Sequence, residues 1–369
     1  MEHSRGNQLY SLQYLRAIAA IGVVLVHAST TLQGREGGLP LFRAGSYGVD
    51  LFFVISGFVM FYTTAEKPIT PGRFLVRRCI RVVPIYFLLT TFGFALALLA
   101  PRLTNLFSAS PRDYLRSIFF IPYFNPAFND IRPEVQQGWT LNYEMFFYAV
   151  FASCLWLKER HRLIVCTSVL IVLAAIGIVA SPSGVFAKTY TDPILLEFTF
   201  GMVISWILLR RRLDFPHFVI ALVAAAVAAI SCVLWLGVSH RTLFAGVPAA
   251  AIVGTVILLE QRGLLPCWPL LLLIGDSSYS LYLVHTFILA TLKRIFVHVP
   301  IAALQSSPMI FMIFGLVGAV LFAMLFYRAV EAPLNRRLQL LIARKGMTSV
   351  SPPAAAMERE TRLRAVSTD

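Results

Sequence analysis

Long apolar runs, separated by short connections that are charged or rich in proline and glycine, fill the chain from residue 12 to about residue 332. Runs of about 18 residues or more are long enough to cross a hydrocarbon layer of roughly 30 Å as helices, whereas membrane barrels show short alternating segments. The pattern predicts an all-α, polytopic membrane protein with about ten transmembrane helices. Their expected positions are 12–32, 48–65, 82–100, 139–157, 163–180, 192–209, 215–236, 242–259, 267–292 and 308–332. An even count returns both termini to one face. The longest connection, 101–138, carries Pro122-Tyr123-Phe124-Asn125-Pro126 and is too long for a simple turn, so it is expected to cover a cavity. Near Lys345 the chain turns to Ser-Pro-Pro-Ala-Ala-Ala and then to mixed charge. Residues 1–340 are therefore expected to form the membrane domain and 341–369 a disordered tail. No internal repeat is evident, which weighs against a transporter of inverted-repeat design.

Composition agrees: 58% of residues are hydrophobic and only 14% charged, outside the range of soluble domains. The net charge of +14 raises nucleic acid as a partner, but the arginines cluster beside apolar runs and not on a polar domain. Lys67, Arg73, Arg77, Arg78 and Arg81, then Lys158, Arg160 and Arg162, then Arg210, Arg211 and Arg212 all fall in connections on the same side as the amino terminus. Those connections hold roughly one basic residue in three positions, the opposite ones about one in eight, which places both termini in the cytoplasm. The five cysteines are dispersed, with no C-x-x-C pair and no metal-ligand spacing. A cleaved signal peptide is the other reading of the first apolar run; its full-span length and its Arg16 and His27 argue against that.

Ionisable groups inside spans cost several kcal/mol unless they meet a cavity or a partner, so each is a functional candidate. Arg16 and His27 share the first span, eleven positions or roughly 16 Å of rise apart, Arg16 at the cytoplasmic end. Counted from the outer surface, His27 and Glu144 both lie about 7–8 Å deep, His285 about 10 Å deep, and Asp50 just beneath the surface. Ser278, Tyr282 and His285, at i, i+4 and i+7, share one helix face. Each group also has a plain structural reading. Asp50 can cap the second helix, His285 can be a satisfied core histidine, and Glu144 can pair with an arginine between helices. Arg77, Arg78 and Arg81 read either as an orientation signal or as guanidinium forks for phosphates.

At these residues the chain resembles the acyltransferase 3 family of integral membrane acyltransferases. The matching stretches are Leu15-Arg16-Ala17-Ile18-Ala19-Ala20 through His27, Gly48-Val49-Asp50-Leu51-Phe52-Phe53 through Phe58, and the arginine run ending at Pro84-Ile85-Tyr86. They continue with Trp139-Thr140-Leu141-Asn142-Tyr143-Glu144, Ser278-Tyr279-Ser280-Leu281-Tyr282-Leu283-Val284-His285, and Glu331-Ala332-Pro333. Thr140 departs from the serine frequent in the family. The resemblance implies a bacterial inner-membrane enzyme that moves an acyl group, with acetyl the leading candidate, from acyl-coenzyme A to a hydroxyl of an exported or lipid-linked saccharide. It also implies that Arg16, His27 and the Arg78/Arg81 pair are needed for activity.

The expectation is that Arg77, Arg78 and Arg81 hold the phosphates of acyl-coenzyme A, a donor substrate and not a tightly bound cofactor. His27 then acts as general base on the acceptor hydroxyl, oriented by Glu144, with Arg16 completing the catalytic set. An acyl-histidine intermediate stays open. Asp50, Trp139, Tyr143, Tyr282 and His285 are expected to line the substrate cavity, Trp139 as a sugar platform. No metal site, no nucleic acid and no additional soluble catalytic domain are expected. The partners are the lipid bilayer and polysaccharide-assembly machinery. A transporter or flippase is the competing class, since polar groups on several spans also suit a conduction path.

Overall fold

The computed structural model describes residues 9–33, 44–65, 69–101, 107–210, 242–298 and 308–344. Among them, seven helices are long and apolar enough to cross a membrane. The long elements are α1 (Tyr10–Gln33), α2 (Gly48–Ala65) and α3 (Pro71–Leu99). A short α4 (Pro111–Ile118) and a two-residue hairpin, β1 (Phe124–Asn125) with β2 (Asp130–Ile131), lead to α5 (Trp139–Ser153). Next come α6 (Glu159–Ala180), α7 (Val185–Tyr190), α8 (Leu196–Arg210) and α9 (Val247–Gln261). The described part closes with α10 (Pro269–Asp276), α11 (Ser278–His298), α12 (Pro308–Phe326) and α13 (Ala332–Arg344).

Every expected span within the described residues overlaps a helix; the one over 215–236 lies outside the described residues. The span expected over 267–292 is broken at Ser277 into α10 and α11, and α5 and α9, at 15 residues each, are not among the seven long spans. Two boundaries differ in ways that bear on function. The third helix starts at Pro71, not near 82, so the basic run is helical and not part of a connection. Thr70 caps it by accepting from the Arg73 N–H, and Pro71 suits the first turn, where its missing N–H costs nothing. Pro84 then removes one bond of the ladder one turn beyond Ile80. The helix α13 runs to Arg344, four residues past the expected end of the membrane domain at 340; the rest of the expected tail lies outside the described residues.

The outward faces are apolar, as lipid requires. On α6, Ile164, Val172, Ile176 and Val179 are exposed, and on α12, Ile313, Phe314, Val317 and Leu321. Inside, α1 is the hub, packed against α2, α9, α10, α11 and α12 through small residues such as Ala17, Ala20 and Val24. The crossing of α2 and α8 is closer still. A Cβ at Gly57 would lie 2.0 Å from the Phe198 carbonyl oxygen, and one at Gly201 2.0 Å from that of Val54. Only glycine lets the two backbones approach so far, the means by which membrane helices associate without a hydrophobic force between them. Long-range packing around α1 and α2 thus fixes the relative depth of the polar groups they carry.

Candidate active site

Three cavities follow α1 from one end to the other. The first, of about 620 Å³, is lined by Arg16 of α1, by Arg77, Arg78 and Arg81 of α3, by Asp276 and Glu331, and by Arg336 of α13. Five guanidinium groups thus face two carboxylates. Helical spacing explains the convergence: Arg78 and Arg81 are i, i+3 and Arg77 and Arg81 are i, i+4, so one face of α3 presents them together. Among the described residues the ion pairs are Arg116–Asp113, Arg132–Asp130 and Arg210–Glu159, so no arginine of this cluster is neutralised by a carboxylate at contact distance. Arg78 donates to Thr63 Oγ1 at 3.3 Å. The surplus of planar, bidentate donors matches a ligand with several phosphates.

Arg16, Arg78 and Arg81 also line a second, central cavity of about 230 Å³, with Ser56, Glu144, Tyr148, Thr140, Ser278, Tyr279 and Tyr282. The arginine layer is therefore shared between the two. Glu144 accepts from Ser56 Oγ at 3.1 Å and from the hydroxyl of Tyr148, one turn further along α5. The aromatic walls Phe52 and Phe53 make the remainder apolar.

The third cavity, about 460 Å³, holds His27 with Thr31, Phe107, Glu134, Gln136, Thr286, Lys293 and Arg294. Behind it the His27 ring meets that of His285, centroid to centroid 5.0 Å. His285 is completely buried, and its Nδ1 lies 3.0 Å from the Leu281 carbonyl. That contact assigns the proton to Nδ1 and makes Nε2 an acceptor, buried without a partner among the described residues. One turn back along α11, Tyr282 faces the central cavity and its ring is 6.3 Å from that of His285. Tyr282 and His285 are thus the partition between the central cavity and His27. The turn Gln136–Gly138 braces it: Tyr282 is 3.2 Å from Thr140 Oγ1 and 3.4 Å from the Gln137 carbonyl, and Thr286 donates to Gln137 Oε1 at 3.4 Å.

Glu134, in the connection before α5, is tied down by the Ser108 N–H at 2.7 Å and Ser108 Oγ at 2.8 Å. Burial pushes its carboxyl up, against the lowering effect of those bonds.

The expected pairing of Glu144 with His27 is not made, since the two line different cavities. Counting depth from the membrane surface assumed that α5 starts there. It starts inside the bundle, after a turn whose Gln137 is buried against Tyr282 and Thr286, so Glu144 sits at the arginine layer. Asp50 is buried in the first turn of α2 and lines none of the three cavities. Trp139 and Tyr143 are also away from them. Trp139 lies under the Arg132 guanidinium, and the Tyr143 hydroxyl donates to Asp192 at 3.3 Å. Sequence reasoning missed Ser56, Tyr148, Gln137, Glu331 and Lys293. Ser56 and Glu331 lie in stretches that carry the family resemblance, and Tyr148 stands at i+4 from Glu144; Gln137 and Lys293 carried no signal.

The family model described as an acyltransferase domain, that of acyltransferase 3, matches residues 9–328. The exopolysaccharide production protein ExoZ of Rhizobium meliloti (strain 1021) is 35% identical over 298 residues, 80% of this chain and 91% of the relative. BcsY of Komagataeibacter xylinus, named as a membrane-bound transacylase, is 30% identical over 308 residues, 76% of this chain and 72% of the relative. A Staphylococcus aureus (strain COL) protein named as an O-acetyltransferase is 24% identical over 362 residues, 88% of this chain and 57% of the relative. No solved structure matches the chain. With the family pattern running from α1 into α12 and seven helices able to span a bilayer, this chain is a multi-pass membrane protein that belongs to the acyltransferase 3 family.

Proposed function

We propose that the protein transfers an acyl group, acetyl first among candidates, from acyl-coenzyme A to a hydroxyl of an exported saccharide, either exopolysaccharide or its lipid-linked precursor. The names of ExoZ and of the O-acetyltransferases favour that acceptor and that group. In this reading ten helices cross the bacterial inner membrane, with both termini in the cytoplasm and the arginine cavity open to it. The observation that carries the proposal is the layer of Arg16, Arg78 and Arg81 shared by two cavities, with His27 about 16 Å further along the same helix as Arg16. The cluster, with Arg77, holds the donor's phosphates while the pantetheine arm enters the central cavity and brings the thioester to the Tyr282–His285 partition, whose side chains move aside to let the acceptor oxygen reach it.

The acceptor enters the third cavity from the outer face. Neutral His27 removes the proton of the acceptor hydroxyl as its oxygen attacks the thioester carbon. The tetrahedral adduct expels coenzyme A thiolate, which takes that proton back from the imidazolium. An ester and free coenzyme A result. His285 positions His27 from behind, the place first expected for Glu144. Glu144 instead serves the donor side, where its charge, held by Ser56 and Tyr148, sets the field between the arginines.

The test is purified protein in liposomes with acetyl-coenzyme A and cell-envelope saccharide, following thiol release and ester formation together. Stoichiometric release and ester supports transfer. Movement of saccharide without thioester loss supports the transporter reading instead.

A further inference from the structure

The histidine cavity is cationic in a way that the reaction does not require. Lys293 and Arg294 of α11 line it with His298, on the side remote from the partition. Lys293 Nζ donates to the Thr31 carbonyl at 2.8 Å, and among the described residues it forms no ion pair. An ammonium has three donors, so two still point elsewhere. The one carboxylate in the wall, Glu134, is 2% exposed and turned toward Ser108 and Tyr123. Arg132 nearby is already paired with Asp130 at 2.9 Å.

Two ordinary reasons for basic residues do not account for Lys293. Attraction to a helix C-terminus falls off within the last turn, and Lys293 lies five residues before the end of α11. Orientation signals belong on the cytoplasmic side, whereas these residues sit at the end of α11 opposite the arginine layer. The aromatic rings of Phe107, Phe128 and Phe287 and the polar groups of Gln136 and Thr286 complete a pocket suited to a sugar chain.

Resting on the reading that the acceptor saccharide enters here, we propose that this cavity selects an anionic acceptor, one whose carboxylate or phosphate is held by Lys293 and Arg294. Lys293 is eight residues beyond His285 on α11, roughly 12 Å of rise. The charge therefore belongs to a neighbouring sugar or to the phosphate of a lipid carrier, not to the ring whose hydroxyl reacts at His27.

The experiment uses the full chain in liposomes with saturating acetyl-coenzyme A and three acceptors. They are a glucuronate-containing oligosaccharide, the same chain with its carboxyl reduced, and the reduced chain on polyprenyl diphosphate. KM for at least one charged acceptor is expected to be about 10- to 100-fold below that of the neutral one, the value of a charge-assisted contact. Which acceptor shows the gain identifies carboxylate or phosphate. The double variant Lys293→Gln/Arg294→Gln is expected to erase the preference, and Lys293→Arg/Arg294→Lys to keep it. Equal KM for all three acceptors, or a preference undiminished in the glutamine variant, would overturn this proposal alone. Failure of transfer to every acceptor would overturn the acyltransferase reading and this one with it.

Discussion

The imidazoles of His27 and His285 lie 5.0 Å apart between centroids and tilted by 52°, the first lining a cavity and the second sealed behind it. Two helices remote in sequence, α1 and α11, bring them together. The pair sits between the central cavity, assigned to the donor arm in the proposed mechanism, and the third cavity, assigned to the acceptor. In that proposed mechanism His27 touches the acceptor and His285 acts through it.

Replacing His27 by alanine is expected to lower kcat by about 10²- to 10⁴-fold, the usual contribution of a general base. His285→Leu separates position from stability. Its Nε2 is buried without a described partner, so an apolar residue of similar size should leave thermal stability in detergent unchanged or higher. Transfer should nevertheless fall, with kcat affected and KM for acyl-coenzyme A unchanged. A leucine variant as active as wild type would remove His285 from the mechanism.

Substitution of Arg16, Arg78 or Arg81 by glutamine is expected to raise KM for acyl-coenzyme A by about 10- to 100-fold each, since each loses a charge-assisted contact to phosphate. Lysine should rescue only in part, because it lacks the planar fork. The comparison to make is acetyl-coenzyme A against acetyl-pantetheine. The shorter donor, without the nucleotide phosphates, should show little response to the same substitutions.

Glu144→Gln and Tyr148→Phe should act on the donor side. Both residues line the central cavity with the arginines and not the histidine cavity. KM for acyl-coenzyme A is expected to change in both variants and KM for the saccharide to stay as in wild type. A change confined to the saccharide would return Glu144 to the side of His27.

Gly57→Val is expected to destabilise the helix bundle by more than the roughly 1–3 kcal/mol typical of overpacking, because the added carbon would meet backbone and not a movable side chain. Loss of the monodisperse peak in size-exclusion chromatography, with no such loss for Gly72→Val, would show it. No atom lies within 4 Å of a Cβ at Gly72.

Much of this was legible from the chain itself. Apolar run length located the helices, and helical spacing put Arg78 with Arg81 and Ser278 with Tyr282 on common faces, which the cavities share. Depth was less legible. Residue counting treats each helix as starting at a flat surface, and α5 does not; its entry turn is buried through Gln137, which carries Glu144 down to the arginine layer. Asp50, Trp139 and Tyr143 were located on the correct helices, yet rotation about a helix that is apolar all round leaves no periodic signal to say which neighbour a side chain meets. Lys293 went unnoticed because one basic residue near a helix end looks like any other until the carbonyl of Thr31 and the pocket wall are seen beside it.

The central claim is that an acyl group passes from a cytoplasmic donor to a saccharide hydroxyl on the other side, with His27 as the general base. Sealed inverted membrane vesicles, with the cytoplasmic face outward and exported saccharide enclosed, test it directly when radiolabelled acetyl-coenzyme A is supplied outside. Ester-linked label inside vesicles bearing wild-type protein, and none with His27→Ala, is the predicted result. Equal label with both proteins, or intact acetyl-coenzyme A throughout, would contradict it.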